Sequence, residues 1–230
     1  DSTCDDVDQI VDEPWLAEFL SILLGEDNGA LRLIGSSLEL TLPNTRLINL
    51  VKSFDCSILL DATSSRADIA LLLGIDESEI LETQQEAIST PHFEVVQLLG
   101  AGLNTSQRSQ AGQQRKKQIK DALSQFHESL GSIDYKAWSE VQDLNHFRSG
   151  DQGARGSNRF REMEAVVGFG TPFLAVNAKL DEYQALTGQL VEATDSGFKK
   201  YYQRCCQKEL IQELGRLRAN LRPEQELCYY

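Results

Sequence analysis

Histidine and cysteine are scarce in this chain of 230 residues, which has three of the first and five of the second. No two cysteines stand as C-x-x-C, and His92, His127 and His146 are not at metal-ligand spacing. This argues against a disulfide framework and against a zinc module, and predicts reduced cysteines in a cytoplasmic protein. No run of 18 apolar residues occurs, so no membrane span is expected. No charged segment precedes an apolar one at the start, so no signal peptide is read there. Bases are missing from the first 30 residues, which hold nine acids. A G-x-S-x-G elbow is absent, as are a G-x-x-x-x-G-K-[ST] phosphate loop and an acidic D-E-x-[DH] box. What is there is globular in balance. Apolar residues make up 41% and charged residues 25%, which excludes a disordered chain and a coiled-coil rod.

The net charge of −13 is unevenly spread. Residues 1–97 carry 4 basic and 19 acidic side chains, whereas residues 98–230 carry 18 and 16. A polyanion would therefore be met by the second part of the chain. Arg108, Arg115, Lys116, Lys117 and Lys120 form an acid-free run, read as a solvated helix face or, more sharply, a phosphate-contacting one.

Patterning predicts helices at 15–24, 45–52 and 66–73, and a hairpin from 31–34 and 38–42. The continuous apolar run 56–60 reads as a strand buried on both faces, and 94–99 as another. A helix is expected over about 107–130, with Ile119, Leu123, Phe126 and Leu130 on one face and Gly131 as its stop. Short strands follow at 132–135, 145–147 and 166–169, then helices at 173–187 and about 197–221. The residues from Leu227 read as the start of a strand. Strands alternating with helices define an α/β fold with a mostly parallel sheet. The polar stretch 76–92 suggests two domains, 1–90 and 91–230. Asp1 in place of Met suggests an internal or C-terminal piece of a longer protein.

Ligands of such sheets meet the loops at the carboxyl ends of strands. Three segments stand out. Asp61-Ala62-Thr63 follows an apolar run, though Asp61 also suits a helix cap. Ala154-Arg155-Gly156-Ser157-Asn158 is a glycine-bearing loop. Gln212, Gly215, Arg216 and Arg218 lie on the last helix, where Gln212 and Arg216 are four apart and share a face. Gln and Arg so placed suit a phosphate and the water attacking it, because guanidinium offers a fixed fork of donors.

In this order the segments resemble the C-terminal motor half of superfamily 2 helicases, and in more detail the helicase region of cyanobacterial plasmid replication proteins. Leu59-Leu60-Asp61-Ala62-Thr63 is similar to the motif closing the first RecA-like lobe. Residues 154–158 look like the fifth helicase motif, and Gln212 to Ala219 like the sixth, which supplies the arginine finger. Lys136, after Ile133-Asp134-Tyr135, takes the place of the strand-then-Lys segment early in the second lobe. The sixth motif's usual second Arg falls here on Ala219, so either Arg216 or Arg218 would be the finger. The resemblance implies a RecA-like sheet, preceded by the tail of a first lobe. ATP and Mg²⁺ would be held mainly by that lobe upstream. Asp61, Thr63 and Gly215 would couple to the nucleotide. Lys136, Arg155, Gly156, Ser157 and Asn158 would contact single-stranded DNA during replication. A non-catalytic α/β interaction module derived from such a lobe is the alternative.

Overall fold

The computed structural model describes residues 14–60, 63–83, 89–103, 109–149 and 153–230. Helix α1 spans Pro14–Leu23 and precedes strands β1, Ala30–Ile34, and β2, Ser37–Thr41. These pair antiparallel with Ile34 opposite Ser37, and Gly35, at φ 60°, makes the tight turn. Helix α2, Thr45–Lys52, starts where Asn44 Oδ1 accepts the Leu47 N–H at 3.0 Å. Helix α3, Arg66–Leu73, opens on a Ser65 cap and closes on left-handed Gly74. Strand β3, Phe93–Val95, helix α4, Gln110–Leu123, and strand β4, Leu130–Asp134, come next. Strands β5, Leu144–Ser149, β6, Gly153–Arg155, and β7, Ala165–Gly168, follow. Helices α5, Val176–Thr187, and α6, Ser196–Leu214, precede strand β8, Leu227–Tyr229.

The chain divides into two compact units, Asp1–Thr83 with Leu174–Cys205, and Gln84–Phe173 with Cys206–Tyr230. The expected division near residue 90 did not include the return of 174–205 to the first unit. Specific contacts account for that return. Arg32 bridges Glu39 and Asp181 at 2.9 Å each, tying α5 to the hairpin. Arg204 Nε donates to Asp68 Oδ1 at 2.7 Å, tying α6 to α3. Burial raises the Asp181 carboxyl above its usual range, and the Arg32 charge works against that rise. Phe198 and Tyr201, both buried, pack with Tyr183 at ring separations of 5.9 and 5.3 Å.

The second unit is α/β, with a six-stranded, all-parallel sheet flanked by helices, in the order β3-β8-β7-β4-β5-β6. This is the class of sheet the alternation of strands and helices predicts. Its core joins Ile133, Leu144, Phe160, Val166, Leu217 and Leu227. A second cluster of Leu103, Val167 and Phe169 packs against Ile119 and Leu123 of α4. Among the described residues, no helix is long and apolar enough to cross a membrane.

Several expectations need correction. Residues 56–60 form no strand, and Ile58 and Leu60 are 83% and 95% exposed. A strand buried on both faces needs a sheet beside it, and the described first unit offers only the β1–β2 hairpin. The strand expected at 94–99 is the short edge strand β3, Phe93–Val95, with Val95 exposed, and Leu99 beyond it is exposed as well. Helix α4 stops at Leu123, where Ser124 Oγ donates to the Lys120 carbonyl, and Phe126 is 78% exposed. Leu130 and Gly131 belong to β4 rather than to the end of that helix. A Cβ on Gly131 would lie 2.9 Å from the Phe160 ring, so this glycine serves packing. Helix α6 ends at Leu214 and gives way to two short 3₁₀ turns, with Arg218 between them at φ 52°. That tightening places Leu217 and Ala219 in the core.

Candidate functional site

From β4 the chain moves outward to β5 and β6, then returns to β7 on the other side of β4 and passes to β8. Onward connections from neighbouring β4 and β7 therefore leave in opposite directions. In open parallel sheets a crevice opens at that point, beyond the carboxyl ends of the two strands. Tyr135 and Lys136 follow β4, and Phe169, Gly170 and Thr171 follow β7. The Tyr135 hydroxyl donates to the Thr171 carbonyl. Gly170 sits at φ 89°, and a Cβ there would meet Leu103 O and the Tyr135 ring at 2.8 Å. Lys136 is exposed beside this crossing.

Two buried polar networks lie behind the strand ends. His146 of β5 is enclosed, with Nε2 3.2 Å from Phe169 O and Nδ1 2.6 Å from Glu213 Oε1. A carbonyl only accepts, so the contact with Phe169 O is a hydrogen bond when Nε2 carries the ring proton. Tyr229 donates to Glu213 Oε2 at 3.2 Å. Burial, then the Glu213 charge, pushes the Tyr229 phenol well up.

The second network centres on Lys116, which is 1% exposed. Its Nζ is 2.8 Å from Asp134 Oδ2, bonds Asp143, and lies 5.3 Å from the centre of the Phe169 ring. Asp143 also accepts from Ser132 Oγ and, at 2.8 Å, from the Glu140 N–H. Burial disfavours the ammonium, yet Asp134 and Asp143 outweigh it and hold the Lys116 pKa above normal. Burial likewise disfavours the Asp143 carboxylate, but the Glu140 N–H, Lys116 and Ser132 hold its pKa below normal. The basic run is thus no uniform solvated or phosphate-facing surface. The signal was present in the sequence, because Lys116 precedes Ile119 and Leu123 by three and seven residues and lies on the apolar stripe. His146–Glu213 had no sequence signal, since the two are 67 residues apart.

The fifth- and sixth-motif look-alikes come together. Arg216 Nη1 donates to Ser157 O at 3.2 Å, and Arg218 Nη2 to Asn158 Oδ1 at 3.0 Å. Arg216 Nε also bonds the Gln212 carbonyl at 2.7 Å. Because α6 stops at Leu214, Gln212 and Arg216 do not share an unbroken helix face. Burial, then repulsion from Arg218, lowers the Arg216 pKa, while Glu213 opposes the shift. Gly215 is exposed, with open space where a Cβ would go. Gly156 is left-handed at φ 73°, and Arg155 forks onto Glu209 with Nε at 3.1 Å. Thr63 belongs to the first unit, and Asp61 lies outside the described residues. The first unit also carries a cleft of about 600 Å³ lined by Glu18, Asp27, Ile48, Lys52 and Leu72, which includes none of the expected site residues. Among the described residues, no group of three or more His, Cys, Asp or Glu is placed to hold a metal ion.

Comparison with family models, with curated proteins and with solved structures returned no match for this chain.

Proposed function

We propose that this chain is the C-terminal portion of an ATP-dependent nucleic-acid helicase or translocase acting in plasmid DNA replication. Its second unit supplies the arginine finger and part of the single-strand path. The observation that supports this reading most is the meeting of Arg216 and Arg218 with Ser157 and Asn158. Two guanidinium groups are held near one another, and burial and then the Arg218 charge disfavour the charged form of Arg216. A phosphoryl group with developing negative charge relieves that repulsion, which is the role of a finger. The described residues fit the phosphates of ATP through this arginine pair. They do not fit Mg²⁺, because Asp134 and Asp143 are committed to Lys116. In this reading the metal and the phosphate loop belong to a partner lobe upstream.

The test is ATP turnover, with and without single-stranded DNA, by this chain alone, by the intact protein, and by its Arg216→Ala and Arg218→Ala variants. Turnover by the intact protein that falls about a thousandfold in one variant, with its melting temperature kept, supports the finger. Near-normal turnover in both variants overturns it. The Arg155–Glu209 fork favours a second reading, a lobe kept for interaction, because it turns a motif-like arginine into a structural clamp. Absence of hydrolysis in every combination, with the chain folded, supports that second reading.

A further inference from the structure

Phe147 stands at φ 61°, in left-handed backbone that bulky side chains rarely adopt. It lies within the register irregularity between Asn145 and Ser149, where β5 departs from regular pairing with β6. A ring needed only to fill the core requires no such backbone, and neither Phe147 nor Tyr135 belongs to the two apolar core clusters. Backbone strain of this kind is characteristic of sites where a side chain is presented for use.

The ring has company. Tyr135 and Phe147 are 6.3 Å apart and both partly exposed, and His146 lies 4.7 and 5.8 Å from them. The three rings are tilted to one another by 39–55°, and two of them are anchored by hydrogen bonds. His146 is fixed by Glu213 and Phe169 O, and Tyr135 by Thr171 O. Next to each partly exposed ring along the chain is an exposed cation, Lys136 after Tyr135 and Arg148 after Phe147. The set stands where β5 runs on past the carboxyl end of β4, on the side of β4 away from β7.

We propose that Tyr135 and Phe147 form a stacking platform for an unpaired nucleobase, with Lys136 and Arg148 taking the phosphates on either side. The chemistry recognised is a planar π face tethered to a phosphate, which neither an apolar peptide nor a bare anion provides. That the base arrives on a single strand rests on the helicase reading above. Stacking tolerates any base, so the platform binds without sequence preference, as a moving contact requires.

The experiment uses the full chain and an oligothymidylate of about 15 nucleotides, end-labelled for anisotropy. A matched strand carrying 2-aminopurine reports stacking by quenching. The principal variant is Phe147→Asn, because asparagine accepts left-handed backbone and leaves the fold unstrained. Expected are a roughly tenfold loss of affinity, loss of quenching, and an unchanged salt slope. The melting temperature should stay equal or rise. Arg148→Ala should lower the salt slope by about one instead. Wild-type affinity and quenching in Phe147→Asn, with the strand still bound, overturn the platform and leave the helicase reading standing. AMP binding that depends on Phe147, without oligothymidylate binding, supports the platform and overturns the strand as its source. No binding of either probe by the wild-type chain at low salt overturns both.

Discussion

Replacing Lys116 by Met would remove one charge from the most enclosed polar group of the second unit. Lys116, Asp134 and Asp143 have side-chain exposures of 1%, 0% and 0%. Met keeps the hydrocarbon stem beside the Phe169 ring, so the packing loss is small. What remains is two buried carboxylates without their main partner. Breaking a buried pair in this way costs about 3–5 kcal/mol. Asp134 keeps the Tyr135 N–H at 2.8 Å, and Asp143 keeps Ser132, the Glu140 N–H and, at 3.3 Å, Lys120. Those retained bonds place the expected loss near the lower end, about 3 kcal/mol at neutral pH. The loss should depend on pH with a definite sign. In the wild type Asp143 has a depressed pKa, so it stabilises above the ordinary carboxylate range and loses that contribution as pH falls through its folded value. Without Lys116, two of the causes that depress that pKa are lost while burial still raises it, so the pKa moves up and the stabilisation gained as pH rises shrinks. The gap between variant and wild type therefore widens from about pH 4.5 to pH 7. Urea unfolding reports it cleanly in a Trp15→Phe background, because the chain has two tryptophans and Trp138 is the one that accepts from Lys116. Adding Asp134→Asn and Asp143→Asn should restore most of the stability, since the unpaired charges are then gone. A loss below about 1 kcal/mol at pH 7, or an equal loss at both pH values, would refute the reasoning.

Two further outcomes follow from burial alone. Leu217→Ala, at a fully buried core position, should cost about 2–5 kcal/mol in urea unfolding, whereas Leu60→Asp should stay within about 0.5 kcal/mol. A large cost for Leu60→Asp would restore the buried strand expected at 56–60. Gly131→Ala should cost about 1–3 kcal/mol, because the added methyl meets the Phe160 ring, and Phe160→Leu in the same chain should recover part of it.

Elements with local causes were legible in the sequence. Asn44, Ser65 and Gly74 bound their helices through bonds that reach only a few residues, and Gly35-Ser36 sets a turn within itself. The run 56–60 failed because apolar content records what a segment tolerates, while strand formation depends on neighbours that a sequence does not place. Helix α6 was read too long for a related reason. Gln212 to Leu221 keeps helical composition, but burying Leu217 required a tighter turn and a left-handed Arg218. Lys116 was misjudged as a member of a charge run although its spacing put it with Ile119 and Leu123. Arg216 and Arg218 meet residues 157 and 158 across 59 and 60 positions, and Tyr135 meets Phe147 from a neighbouring strand, contacts that local pattern does not place.

The place of β8 in the sheet also bears on how the second unit is assembled in time. Among the described residues β3 has no neighbour in the sheet other than β8, and Phe93 pairs with Leu227 across a separation of roughly 130 residues. A nascent chain that has released β4, β5, β6 and β7 can join those strands, but β3 waits beside an open edge until β8 emerges. Contacts of such long separation slow folding, because the loop must close before the pairing stabilises it. During that interval β7 exposes Val166 and Ala165 at the edge that β8 later covers. Extra time on the ribosome before β8 would lengthen this exposure and favour edge-to-edge association, so codon choice just ahead of residue 227 should affect soluble yield more than the same change after α4.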